Sequence, residues 1–136
     1  MNFLAHLYLS GDSDQVIVGN FIADFIKGKE AESYQRGVYI GILLHREIDS
    51  FTDQHPQVAE SKQRLWNRHR HYSSVIVDIF YDHFLAKNWT EYSITPLEDF
   101  ASHAYSTIQQ FDILLPQKVR QVLPDMVANN WLVNYG

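Results

Sequence analysis

The chain has 136 residues, of which 46% are hydrophobic, 14% aromatic and 20% charged; this suits one domain with a packed core and excludes a disordered or low-complexity chain. It contains no cysteine, which excludes disulfides, zinc–thiolate sites and cysteine nucleophiles. A net charge of −5 argues against nucleic-acid binding as the main business, and no stretch approaches the ~20 apolar residues of a membrane helix.

Met1 to Ser10 is apolar, but it lacks the basic start and cleavage pattern of a signal peptide, so a mature, cytoplasmic protein is expected. Asp12 and Ser13 suit the cap of a helix from Gln15 to Lys27, with Gly28 where a left-handed C-terminal cap is wanted. From Ser33 to Thr52 the residues Val38, Ile42, Leu43 and Ile48 keep helical spacing, and His55 and Pro56 close the segment. Pro56 then opens a polar helix through about Arg70 that carries Lys62, Arg64, Arg68 and Arg70. Ser73 and Ser74 cap a helix from Val75 to Lys87, which is apolar on most sides and is expected at the centre of the fold.

Thr95-Pro96-Leu97-Glu98 reads as a capping box that starts a helix to about Gln110. Pro116 and Pro124 each suit the start of a shorter helix, the last ending near Trp131 to Tyr135. Strand-like alternation, internal repeats and linker-like shifts in composition are absent, so residues 1–136 read as one all-α helical domain.

Helical spacing groups the polar residues. Asn20 and Asp24, His45 and Asp49, and Asp78 and Asp82 are each four apart and share a face, with His83 directly after the last pair. An aspartate in a helix as apolar as 75–85 needs a cation, a hydrogen-bond network or a salt bridge. Taken singly, His45 and Asp49 also suit a surface pair, His6 a core histidine bonded to a carbonyl, and Asp24 a partner of Lys27 or Lys29. Together, His and Asp side chains offered by several helices to a shared interior make a metal site. A sulfur-free, carboxylate-rich set favours manganese or magnesium, with iron and zinc as alternatives. Such an ion lowers the pKa of bound water and neutralises charge on a phosphoryl oxygen, which is the chemistry of phosphate-ester hydrolysis.

Met1-Asn2-Phe3-Leu4-Ala5-His6-Leu7, Gly19-Asn20-Phe21-Ile22-Ala23-Asp24-Phe25, His45-Arg46-Glu47-Ile48-Asp49 with Thr52-Asp53, and Asp78 through Asp82-His83-Phe84-Leu85 resemble, in order and spacing, the acyl carrier protein phosphodiesterase family. Trp89 and the terminal Trp131-Leu132-Val133 with Tyr135 are similar to it too. The resemblance implies a helical bundle like the HD-domain phosphohydrolases, a cytoplasmic location and dependence on manganese, with magnesium or iron(II) as alternatives. The implied reaction is hydrolysis of the phosphodiester between 4′-phosphopantetheine and a serine of holo acyl carrier protein. Carried over residue by residue, it implies a metal site drawn from His6, Asp24, His45, Asp49, Asp78 and Asp82, and catalytic roles for His45, Arg46, Asp49 and His83. Arg46 would neutralise the phosphate, and a histidine would protonate the leaving oxygen.

The family's members run longer than this chain, so the resemblance also implies that C-terminal helices are lacking, with weak activity, loss of turnover or self-association as consequences. The carrier is acidic; Arg64, Arg68, His69, Arg70 and His71 form one basic run that suits it, and Lys27, Lys29 and Arg36 a second. Three other readings are open at this point. They are a helical phosphohydrolase of a nucleotide or small phosphate ester, a non-catalytic carrier-binding remnant, and a ferritin-like carboxylate bundle, whose Glu-x-x-His repeats the chain lacks.

Overall fold

A computed structural model describes residues 2–136; Met1, the first residue of the amino-terminal motif, lies outside them. Among the described residues the chain is all-α: α1 (Phe3–Tyr8), α2 (Asp14–Ile22), α3 (Arg36–Gln54), α4 (Pro56–His69), α5 (Ser73–Lys87), α6 (Leu97–Gln110) and α7 (Gln117–Ala128), with short 3-10 segments in several of the connections. Leu4 of α1, Val18 and Ile22 of α2, Val38 and Ile42 of α3, Ile108 of α6, Met126 of α7 and Leu132 beyond it are all fully buried in one core. Burying a side chain of this kind contributes ~1.5–3 kcal/mol, so the core holds these elements against each other.

The tightest packing joins α2 and α3, and glycine permits it. A methyl group on Gly19 would run into the carbonyl oxygen of Val38 and sit 2.9 Å from the Gly41 Cα; one on Gly41 would strike the carbonyl of Val16. With no side chain on either residue, the two backbones touch. Asn20 follows Gly19, and His45 lies one turn beyond Gly41, so this crossing brings Asn20 and His45 together.

Several elements depart from the expected pattern. Ser13 caps α2 as expected, its Oγ accepting from the Val16 N–H at 3.4 Å, but the helix tightens into a 3-10 turn over Ala23–Phe25 instead of running to Lys27. Gly28 takes the expected left-handed conformation, φ +52, as the first residue of a further 3-10 turn, Gly28–Ser33. α3 starts at Arg36, later than Ser33, because Ser33 belongs to that turn. The capping box at Thr95 does not form. Pro96 is itself the cap, extended at φ −55 and ψ 145, and its carbonyl accepts from the Phe100 N–H at 3.0 Å. Pro116 caps α7 in the same way, whereas Pro124 lies inside that helix, so one helix stands where two shorter ones were expected.

α5 is not central. Ser73, Val77, Asp82 and Ala86 form its buried stripe, while Val75, Ile79, Phe80 and Phe84 are each about half exposed. Its apolar residues surround the helix and α1 and α4 cover only part of the circumference, so part of the apolar surface faces outward.

Candidate metal centre

α1, α2, the 3-10 turn after α2, and α3 each contribute to one cluster. Asp49 lies one turn along α3 from His45, and its two oxygens are shared: Oδ1 is 3.0 Å from His6 Nε2 and Oδ2 is 3.2 Å from His45 Nε2. The same His45 nitrogen is 3.0 Å from Asp24 Oδ1. Its other ring nitrogen, Nδ1, donates to the Asn20 backbone carbonyl at 2.8 Å and to Asn20 Oδ1 at 3.0 Å. The imidazoles of His6 and His45 stack with centroids 3.6 Å apart and planes 8° from parallel. Both rings are buried, Asp49 is half-buried, and Asp24 stands exposed at the rim.

Charge is balanced internally. Burial alone would push the His45 imidazole down, but its hydrogen bonds to Asp24 and Asp49 outweigh this and raise it to about 9. Burial likewise opposes ionisation of Asp49, yet the bonds from His45 and His6 hold its carboxyl well below the usual range. Asp24 is held low chiefly by its bond to His45. At neutral pH the His45 imidazolium therefore lies between two carboxylates, where a cation fits.

Among the described residues, His6, His45 and Asp49 are the set whose donor atoms lie within 4.8 Å of one another. Donors around one ion with ~2.1 Å bonds stand up to ~4.2 Å apart, so small side-chain movements would bring the three onto a divalent ion. Two imidazole nitrogens and carboxylate oxygens, without sulfur, suit such an ion. Asp24, bonded to His45 from the solvent side, extends the set.

Two expected site residues, Asp82 and His83, turn to other partners. Asp82 is fully buried, and both its oxygens are taken by the first turn of α1: Oδ2 accepts from the Leu4 N–H at 2.8 Å and Oδ1 from the Ala5 N–H at 3.1 Å. Burial pushes its carboxyl up to about 6 against those two bonds. A hydrogen-bond network thus meets its need, and the carboxylate acts as a remote cap for α1. Asp78, half-buried one turn earlier, borders the cluster: burial raises its carboxyl and the charge of Asp49 pushes the same way, although it is not in the three-residue set. His83 turns to the chain's end, with Nδ1 2.6 Å from the Tyr135 carbonyl to which it donates. Arg46 lies beside the rim, its guanidinium donating to the carbonyls of Ile26 at 3.4 Å and Gly28 at 3.2 Å. The sequence reading missed Ser10, whose Oγ donates to the His6 carbonyl at 2.7 Å. It also missed the Gly19 and Gly41 crossing, although small residues next to Asn20 and one turn before His45 were a usable signal.

The acyl carrier protein phosphodiesterase family profile matches residues 1–136. A protein of Photorhabdus laumondii named acyl carrier protein phosphodiesterase is 37% identical over 137 residues, covering 100% of this chain and 69% of its own. Proteins of the same name from Pectobacterium atrosepticum and Escherichia coli O6:H1 are each 35% identical, covering 100% and 99% of this chain and 71% and 70% of their own. No solved structure matches. With its whole length matched by the family profile and by relatives 35% and 37% identical, this chain belongs to the acyl carrier protein phosphodiesterase family.

Proposed function

We propose that this chain hydrolyses the phosphodiester between 4′-phosphopantetheine and a serine of holo acyl carrier protein, releasing the apo protein, and that it works in the cytoplasm with a divalent ion, manganese first and magnesium or iron(II) as alternatives. The observation that carries this is the convergence of His6, His45 and Asp49, with Asp24 at the rim, in a chain whose relatives bear that enzyme's name. His6, His45 and Asp49 would hold the ion, which when bound supplies a Lewis acid for the phosphoryl oxygen and acidifies water. To serve as a ligand, His45 gives up its Nε2 proton and keeps the Nδ1 proton that it donates to Asn20. Asp24, ionised and exposed, is a proton acceptor on the open side. Arg46 brings a guanidinium to the adjoining loop, where it offsets charge on the phosphodiester.

The acidic carrier would approach over Lys27 and Lys29, which are exposed and follow Asp24 on the loop whose carbonyls Arg46 holds. In the other basic run, Arg64 is already paired with Glu60 at 2.7 Å. Incubation with holo carrier protein and manganese should give a product lighter by the phosphopantetheine group on mass spectrometry, and a chelator should suppress it. A folded, manganese-loaded sample that leaves the carrier intact but cleaves nucleotides or small phosphate esters would overturn the substrate assignment.

A further inference from the structure

Asn20 is fully buried. Its amide Nδ2 donates to the His6 carbonyl at 2.9 Å and to Ser10 Oγ at 2.8 Å, while Oδ1 accepts from His45 Nδ1 at 3.0 Å. The Ser10 hydroxyl in turn donates to the same His6 carbonyl, closing a small ring of hydrogen bonds around the end of α1. The orientation of the amide is forced. A flip would set its NH2 group against the His45 Nδ1–H and its oxygen against the His6 carbonyl, losing bonds at both ends. One planar group thus ties the α1 turn that carries His6 to the α3 ring of His45. The two imidazoles it links are those that stack 3.6 Å apart and both face Asp49.

We propose that Asn20 is the positioning residue of the centre: its side chain fixes the register of the two stacked imidazoles, so that both Nε2 atoms face Asp49. Its side chain bonds to the His6 carbonyl, Ser10 and His45, and so acts through the histidines. Neighbours that orient ligating histidines typically change metal affinity 10- to 100-fold when removed. The affinity consequence rests on the metal reading given above; the ring register does not.

The test compares Asn20→Ala with Val119→Ala, a core truncation in α7 remote from the histidines that supplies a purely structural control. Two quantities are read: zinc affinity by calorimetry, zinc serving as a diamagnetic probe, and, in the metal-free protein, the proton–proton contacts between the His6 and His45 rings by NMR. Asn20→Ala should weaken zinc binding roughly 10- to 100-fold and abolish or scatter the inter-ring contacts. Val119→Ala should lower the melting temperature and leave both readouts unchanged. If Asn20→Ala fails to fold, Asn20→Ser, which keeps a hydroxyl in the pocket, is read the same way. Ring contacts and affinity in the Asn20 variant equal to those of Val119→Ala would overturn the proposal. Absence of zinc binding by the unaltered chain, with ring contacts that still depend on Asn20, would remove the metal reading and leave the positioning role standing.

Discussion

At the scale of single residues, the centre is a charge-balance problem solved by one proton. His45 carries it between Asp24 and Asp49, and an incoming ion must displace it. Two consequences follow in opposite directions. A histidine whose folded pKa is raised stabilises the fold fully below its unfolded value near 6.5, and that contribution is lost as pH rises through about 9. The metal-free chain should therefore lose up to about 3 kcal/mol of stability between those limits, measured by urea unfolding across the range. Over the same window manganese should bind more tightly as pH rises, by about tenfold per pH unit, because each binding event releases one proton; calorimetry at several pH values in buffers of different ionisation enthalpy checks both slope and proton count. Asp49→Ala should abolish manganese binding, since the one carboxylate faces both histidines. Asp82→Ala should behave differently. It orphans the Leu4 and Ala5 N–H groups at a cost of about 2–3 kcal/mol, yet the variant should still bind manganese where it remains folded, as denaturation and metal titration on one sample would reveal.

At the scale of elements, the site depends on how closely α2 and α3 approach. Gly41→Ala puts a methyl group against the Val16 carbonyl, and backbone cannot give way as a flexible side chain can. We expect a loss of about 1–3 kcal/mol or more, together with weaker manganese binding, because separating the helices draws His45 away from Asn20; Gly37→Ala, where the obstruction is the side chain of Gln15, should leave metal affinity unaltered. The turn that follows α2 matters as much. Had α2 continued to Lys27 with α-helical geometry, Asp24 would stay four residues from Asn20 on a regular face; the tighter 3-10 turn re-aims it, and it meets His45 Nε2. Capping explains the remaining boundaries. Pro96 and Pro116 are the extended cap residues, and their carbonyls accept the first intrahelical bonds, from the Phe100 and Arg120 N–H groups; with the cap at Pro96, the Thr95 side chain has no capping role.

At the scale of the whole molecule, the net charge of −5 leaves Lys27 and Lys29 exposed on the loop after Asp24, next to the exposed Glu30 and Glu32. Reversing Lys27 and Lys29 to glutamate should raise KM for the acidic carrier roughly tenfold or more with little change in kcat, and should reduce the salt sensitivity of kcat/KM. The equivalent reversal at Arg68 and Arg70, in the last turn of α4 and at its cap, should change neither. Steady-state kinetics at two ionic strengths separates the two surfaces. Much was legible in the chain alone: helical spacing and turn residues determine the all-α class and most helix positions, and the ordered segments around His6, Asp24, His45 and Asp49 determine the family. The division of labour among the acids was not legible. Asp49 and Asp82 are both aspartates four residues from a partner on a helix, and spacing along one helix carries no information about what stands opposite. Only the tertiary structure decides that Asp49 faces two imidazoles whereas Asp82 faces two backbone N–H groups from a segment 77 and 78 residues away. A buried carboxylate must be compensated, but a hydrogen-bond donor and a cation meet that need equally well, so the choice belongs to packing and not to local sequence.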